Sequence, residues 1–210
     1  MNSATSLMDS SSSKIMVSST ESSPSSSRPF AQRAFASSIL ILKVATGNGD
    51  SLTRLTDAEL IAARAYLSQI KFAGVKCNVV SRKGDVLVPR VTVYYDGAIS
   101  KEELYDSIDE ALTKFIVNMK FDSLIYAQKV IDAIQSVEHV TDVYVDPDAT
   151  VEQGIFIAQY DDNDGLGPLT KIERKCYTAS GYAKESTKKN EESTIPTFRE
   201  AIAIKLESEE

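Results

Sequence analysis

The chain has 210 residues, enough for one domain of ordinary size with a real core, and its apolar share of 42% and charged share of 25% exclude wholesale disorder. Its 30 acidic against 23 basic side chains give a net charge of -7, which disfavours nucleic acid as a partner, because phosphate binding draws on clustered Lys and Arg. No apolar run is long enough to cross a bilayer and no basic-apolar-small leader pattern opens the chain, so a soluble, unsecreted protein with no membrane partner is expected.

Residues 1–27 hold thirteen serines and hardly any large side chain. Such a stretch cannot bury enough apolar surface to offset its ordering entropy, so 1–37 reads as an extended or disordered arm. The pattern then changes: Ile39, Leu40, Ile41, Leu42 and Val44 form a β-rich run expected as a strand buried on both faces. After the turn-like Thr46-Gly47-Asn48-Gly49-Asp50, Thr56-Asp57-Ala58-Glu59 offers the reciprocal hydrogen bonds of a capping box. Leu60, Ala63, Tyr66, Leu67 and Ile70 recur at helical spacing, and Gly74 suits a left-handed stop, which predicts a helix over about 57–72.

Two strand-like runs follow, Val75 to Arg82 and Val86 to Tyr95, joined by Lys83-Gly84-Asp85 as a short hairpin connection. Pro89 cannot donate to a ladder and points to an edge or a bulge. A second capping box, Ser100-Lys101-Glu102-Glu103, opens a helix to about Val117 with Leu104, Ile108, Leu112, Phe115 and Ile116 inward. A third helix is expected from Asp122 as N-cap, with Leu124, Ala127, Ile131 and Ile134 inward. Val140, Val143 and Val145 alternate as a strand ended by Asp146-Pro147-Asp148, Ile155, Ile157 and Gln159 suggest another, and a last ordered stretch runs from Lys171 to Tyr182.

This order predicts an α+β fold: a mixed or antiparallel sheet with helices packed on one face, flanked by extended N- and C-terminal arms. The expected divisions are the arm 1–37, a core 38–183 and a C-terminal interaction arm 184–210. In that last arm Thr197-Phe198-Arg199-Glu200 could cap a helix, while Ile202, Ile204 and Leu206 alternate as a strand. Either form gives an apolar tip suited to docking on a partner, by helix-in-groove or strand addition. The candidate interface residues are therefore Pro196, Phe198, Ile202, Ile204 and Leu206, together with Tyr94 and Tyr95. Those two tyrosines and Tyr126 read equally as rigid anchors or as ordinary half-buried residues.

The candidate chemistry is thin. His139 is the only histidine, which excludes a two-histidine metal site and suits a surface or packing role. Cys77 and Cys176 stand far apart and read as reduced, packed thiols. Asp161-Asp162-Asn163-Asp164-Gly165 has the oxygen-rich look of a calcium loop, but with Gly165 at the sixth position Tyr160 and Lys171 fall where acidic ligands belong. A solvated turn is the better reading. Gly165-Leu166-Gly167-Pro168 lacks the lysine of a phosphate loop, and Asp106, Asp109 and Glu110 read as a solvated or interface face of the second helix. No catalytic residue, metal ligand or cofactor site is assigned.

Ser38 to Tyr182 resembles the C-terminal part of baseplate J-like proteins, tail structural proteins of phages and prophages of Bacteroides-type bacteria. The resemblance is carried by Ile41-Leu42-Lys43-Val44-Ala45, Leu55-Thr56-Asp57-Ala58-Glu59-Leu60 to Ala65-Tyr66-Leu67, Ile70-Lys71-Phe72-Ala73-Gly74-Val75, Val79-Val80-Ser81-Arg82, Val91-Thr92-Val93-Tyr94-Tyr95-Asp96, Ile131 to Glu138, and Ala179-Ser180-Gly181-Tyr182. It implies a non-enzymatic virion protein, a homo-oligomeric ring or wedge subunit of tail, baseplate or neck, with itself and other tail or neck proteins as partners and the host cytoplasm as place of assembly. The serine-rich arm and the tail from Lys184 depart from the family, whose members carry a long helical region before the first strand. Alternative readings are a phage-encoded regulatory or host-partner-binding protein, and a small hydrolase built on Asp161, Asp162 and Asp164.

Overall fold

A computed structural model describes residues 5–8, 14–21, 39–48, 51–71, 75–186 and 195–209. Thr5–Met8 (β1), Lys14–Glu21 (β2), Ile39–Thr46 (β3) and Lys76–Val80 (β4) form a four-stranded sheet in that order. Strand pairing therefore reaches into the serine-rich arm, through the β-prone Ile15-Met16-Val17; residues 1–4, 9–13 and 22–38 lie outside the described residues. β3 and β4 run parallel, with Leu42 opposite Val79, so the chain must cross back between them. The helix α1, Asp57–Ile70, makes that crossing.

The Thr56 capping box forms: the Glu59 carboxylate accepts from the Thr56 N–H at 2.8 Å and the Thr56 hydroxyl accepts from the Glu59 N–H at 3.4 Å. The helix ends at Ile70, and Gly74 lies outside the described residues. Its inner face is narrower than the spacing predicts. Leu60, Ala63 and Leu67 pack half-buried on Val44, Leu55 and Val79, whereas Tyr66 and Ile70 are 57% and 56% exposed, as is Ile61 at 66%.

The expected hairpin does not form. β4 stays with β3, whereas Asp85–Arg90 (β5) joins a second sheet, so Lys83-Gly84 passes from one sheet to the other. Gly84 is not among the glycines with positive φ that a two-residue primed turn requires, and a Cβ there would lie 2.6 Å from the Tyr182 ring. In the second sheet β5 pairs antiparallel with Gly154–Ala158 (β9) and parallel with Ala183–Lys184 (β12), and Thr170–Lys171 (β10) flanks β9. β12 spans only Asp85 and Val86, so Pro89, opposite Ile155, sits where β5 has one neighbour. Past Val91 the run turns into a third sheet, where Thr92–Tyr95 (β6) lies between Val140–Tyr144 (β8) and Ala203–Leu206 (β13).

Lys101–Val117 is α2, capped by Ser100 and Glu103, with Leu104, Ile108 and Leu112 fully buried and Phe115 and Ile116 packed against them. Ser100→Ala is expected to lower the unfolding free energy by about 1 kcal/mol in a urea titration; an unmoved midpoint would show the cap to be idle. The third helix, α3, starts later than expected, at Ala127, and ends at Gln135. Leu124–Tyr126 is instead a strand, β7, paired with Lys175–Tyr177 (β11), because Asp122 takes a left-handed backbone at φ 58° and turns its carboxylate to Lys43. The C-terminal ambiguity resolves into both forms in succession: the single turn Phe198–Ala201 (α4), then β13.

The whole is α+β, with about 30% helix and 31% strand. The main core lies where β5, β6 and β9 meet α2 and α3, around Leu87, Val93, Leu104, Ile108, Ile134, Ile155 and Phe198. Among the described residues no helix is long and apolar enough to cross a membrane.

Candidate functional site

The acidic loop is tied down by its own chain. The Asp161 carboxylate accepts from the backbone N–H of Asn163 and Gly165 at 2.9 and 2.7 Å, closing an Asx-type turn. Asp162 pairs with Arg82 at 2.8 Å, and Asp164 pairs with Arg54 and, at 3.6 Å, with Lys83. The three carboxylates thus diverge to separate partners. A hard-cation site needs oxygens converging on one point, and among the described residues no group of three or more His, Cys, Asp or Glu does so.

His139 holds a left-handed backbone at φ 70°, with Nδ1 2.9 Å from the Asp96 carboxylate and its carbonyl accepting from the Asp96 N–H at 3.2 Å. This ties the end of β6 to the start of β8. The Ala98 N–H and the imidazole hold Asp96 below the usual carboxylate range, and the same contact raises His139. Both cysteines are half-buried and free. Burial, with the nearby charge of Asp85, pushes the Cys176 thiol up and away from the reactive thiolate.

Sequence reasoning missed Asp85, a carboxyl that is fully buried. It belongs to a joint built on Thr178–Tyr182. Lys43 of β3 donates to the Asp122 carboxylate at 2.6 Å and to the Thr178 carbonyl at 2.7 Å. The next amide, Ala179 N–H, donates to one Asp85 oxygen, while the Asp85 N–H donates to the Tyr182 carbonyl at 3.1 Å. Asp122 N–H donates to the Gly181 carbonyl at 2.6 Å. Gly181, at φ +96°, lies so close to the Phe121 ring that a Cβ would be 2.6 Å from it, and Phe121 stacks on Tyr182. One segment thus clamps the first sheet, through Lys43, to the second, through Asp85. Among the described residues, the second Asp85 oxygen and the Thr178 hydroxyl have no hydrogen-bond partner. Burial raises Asp85 to about 6 against the pull of the Ala179 and Ser180 bonds.

The residues expected at an interface are placed mostly inside. Tyr95, Phe198, Ile202 and Ile204 are buried in the chain's own core, and Tyr94, Pro196 and Leu206 are half-buried. The tip does dock by strand addition, but on its own β6, with Ile204 opposite Val93. Arg199 fastens it to α2 through Glu102 and Asp106 at 3.0 and 2.7 Å, and the Tyr105 hydroxyl donates to the Ile202 carbonyl at 3.2 Å. The correction has a simple reason: β6 is an edge without β13, and the tip satisfies that edge and fills the core beside it at once.

The surface features that stand out on the helices are the apolar face of α1 and the two flanks of α2. Between α2 and α3 runs an open groove of about 770 Å³, floored by Phe115, Met119 and Val137 and edged by Lys114, Lys120 and Lys129. On the other flank Glu102, Asp106 and Asp109 gather around Arg199, with Glu185 near Asp109. No family model matches the chain, and a search of curated proteins finds no match.

Proposed function

We propose that this chain is a non-enzymatic structural protein of a bacteriophage particle, an oligomeric ring or wedge subunit of tail, baseplate or neck that works through the surfaces it buries against its neighbours. The observation that carries the proposal is the outer face of α1. A helix that belongs to a closed monomer hides its large apolar side chains, but Ile61, Tyr66 and Ile70 stand in solvent together with Ala62 and Ala65. A contiguous apolar face of this kind suits a protein partner. The resemblance of Ser38–Tyr182 to baseplate J-like proteins supports the same reading. So does the acidic loop, whose carboxylates are engaged by Arg54, Arg82 and Lys83 rather than aimed at a shared point.

Quantitative mass spectrometry of purified virions is the test. A fixed number of copies matching the symmetry of a tail or neck ring is expected. Absence from the particle, with the protein confined to the infected-cell lysate, would overturn the proposal in favour of a regulatory or host-binding role.

A further inference from the structure

We propose that copies of this chain associate head to tail, the acidic flank of α2 on one copy seating in the lysine-edged groove of the next. This rests on the oligomeric reading above and specifies its surfaces. Successive residues of an α-helix turn by about 100°. With Leu104, Ile108 and Leu112 forming the buried stripe, Glu102, Asp106 and Asp109 fall on one side of it and Ser107, Glu110, Ala111 and Lys114 on the other. One flank of the helix is therefore acidic throughout, while the other sets Lys114 beside Glu110. Each flank is completed by a different neighbour: the tip contributes Arg199 on the acidic side, and α3 with the segment before it contributes Lys120 and Lys129 on the basic side.

Among the described residues each flank keeps an excess of its own charge. Lys114 and Lys120 have no ion pair among the described residues, and Lys129 rests only over the Tyr126 ring at 5.4 Å. Across the helix, Arg199 serves Glu102, Asp106 and Asp109 together, with Glu185 close to Asp109. Burial pushes the Asp109 carboxyl above its usual range, Arg199 draws it back, and Asp106 adds to the rise; Glu185 is raised by burial and by Asp109. A cationic surface from outside relieves that crowding. Three lysines against the single carboxylate of Glu110 leave one groove basic in a chain of net charge -7, a surface complementary to the acidic flank, and the apolar floor accepts the carboxylate stems.

The two surfaces differ, so the contact is heterologous. Every copy then offers one of each, and repetition of the same step closes a ring when the rotation allows. An isologous pair would instead stop at a dimer.

Sedimentation velocity of the full chain at low salt tests this with two neutralised variants: Lys114→Gln/Lys120→Gln/Lys129→Gln in the groove and Asp106→Asn/Asp109→Asn on the flank. Wild type is expected to form species larger than a dimer that dissociate as salt is added, and each variant to self-associate at least about tenfold more weakly. An equimolar mixture of the variants should form a one-to-one dimer and stop there, because each retains one intact surface. Circular dichroism confirms that both variants keep the wild-type fold. Variants that assemble like wild type would overturn the proposal while leaving the ring reading intact, and so would a mixture that fails to dimerise. A wild type that stays monomeric at every concentration would overturn it too, with the copy number in virions then deciding the ring reading separately.

Discussion

Phe198→Ala is expected to destabilise the isolated chain by about 3–5 kcal/mol. Its ring is 1% exposed and belongs to the main core with Leu87, Leu104 and Ile108. Truncation removes apolar burial and leaves a cavity beneath α4, and it loosens the attachment of β13, whose first residue donates to the Val91 carbonyl at 3.0 Å. A guanidinium titration of the monomer at a concentration too low for assembly gives the answer. An anchor for another subunit would leave that midpoint unmoved, whereas a core residue shifts it in every assembly state.

The second large effect concerns charge. Asp85 in the folded chain titrates at about 6 against 3.8 for an ordinary aspartate, so the folded state binds its proton more tightly than the unfolded state. The sign follows: stability from this group is highest below the unfolded value and is lost as pH rises through the folded one. Asp85→Asn keeps an acceptor for the Ala179 N–H and removes the buried charge. The stability of Asp85→Asn relative to wild type is therefore expected to grow by about 3 kcal/mol between about pH 3 and pH 8. Urea titrations of both proteins across that range measure it. Glu59, Asp96 and Glu103, held low by their hydrogen bonds, act in the opposite sense but are common to both proteins and cancel. A difference that does not change with pH would mean that Asp85 is ionised without penalty.

Local chemistry was legible in the sequence and long-range partnership was not. The boxes at Thr56 and Ser100 close within four residues, so their helices begin where expected. The inward residues Leu104, Ile108 and Leu112 follow from the helical period alone. By contrast Asp122 looked like a helix N-cap because nothing nearby reveals that Lys43, 79 positions earlier, takes its carboxylate. Lys83-Gly84-Asp85 looked like a hairpin turn because the partner that draws Asp85 inward is Ala179, 94 positions later. Tyr66 and Ile70 have helical spacing, but a single small sheet beneath α1 is covered by Leu60, Ala63 and Leu67. The apolar alternation of the tip was legible, but its place beside the chain's own β6, rather than on a partner, was not. Asp106 and Asp109 were legible as a charged face, but their partner Arg199, 93 positions after Asp106, was not.

The pairing of β13 with β6 also sets an order of events during synthesis. Ala203 lies opposite Thr92, so the slot beside β6 waits for a segment translated 111 residues later. At ordinary elongation speeds that is roughly 5–20 s during which the nascent polypeptide displays an unfilled apolar cleft and an open strand edge. Chains that stop before Phe198 lack the segment that fills this cleft and are expected to expose it. Emergence of β13 thus gates closure of the core around β6.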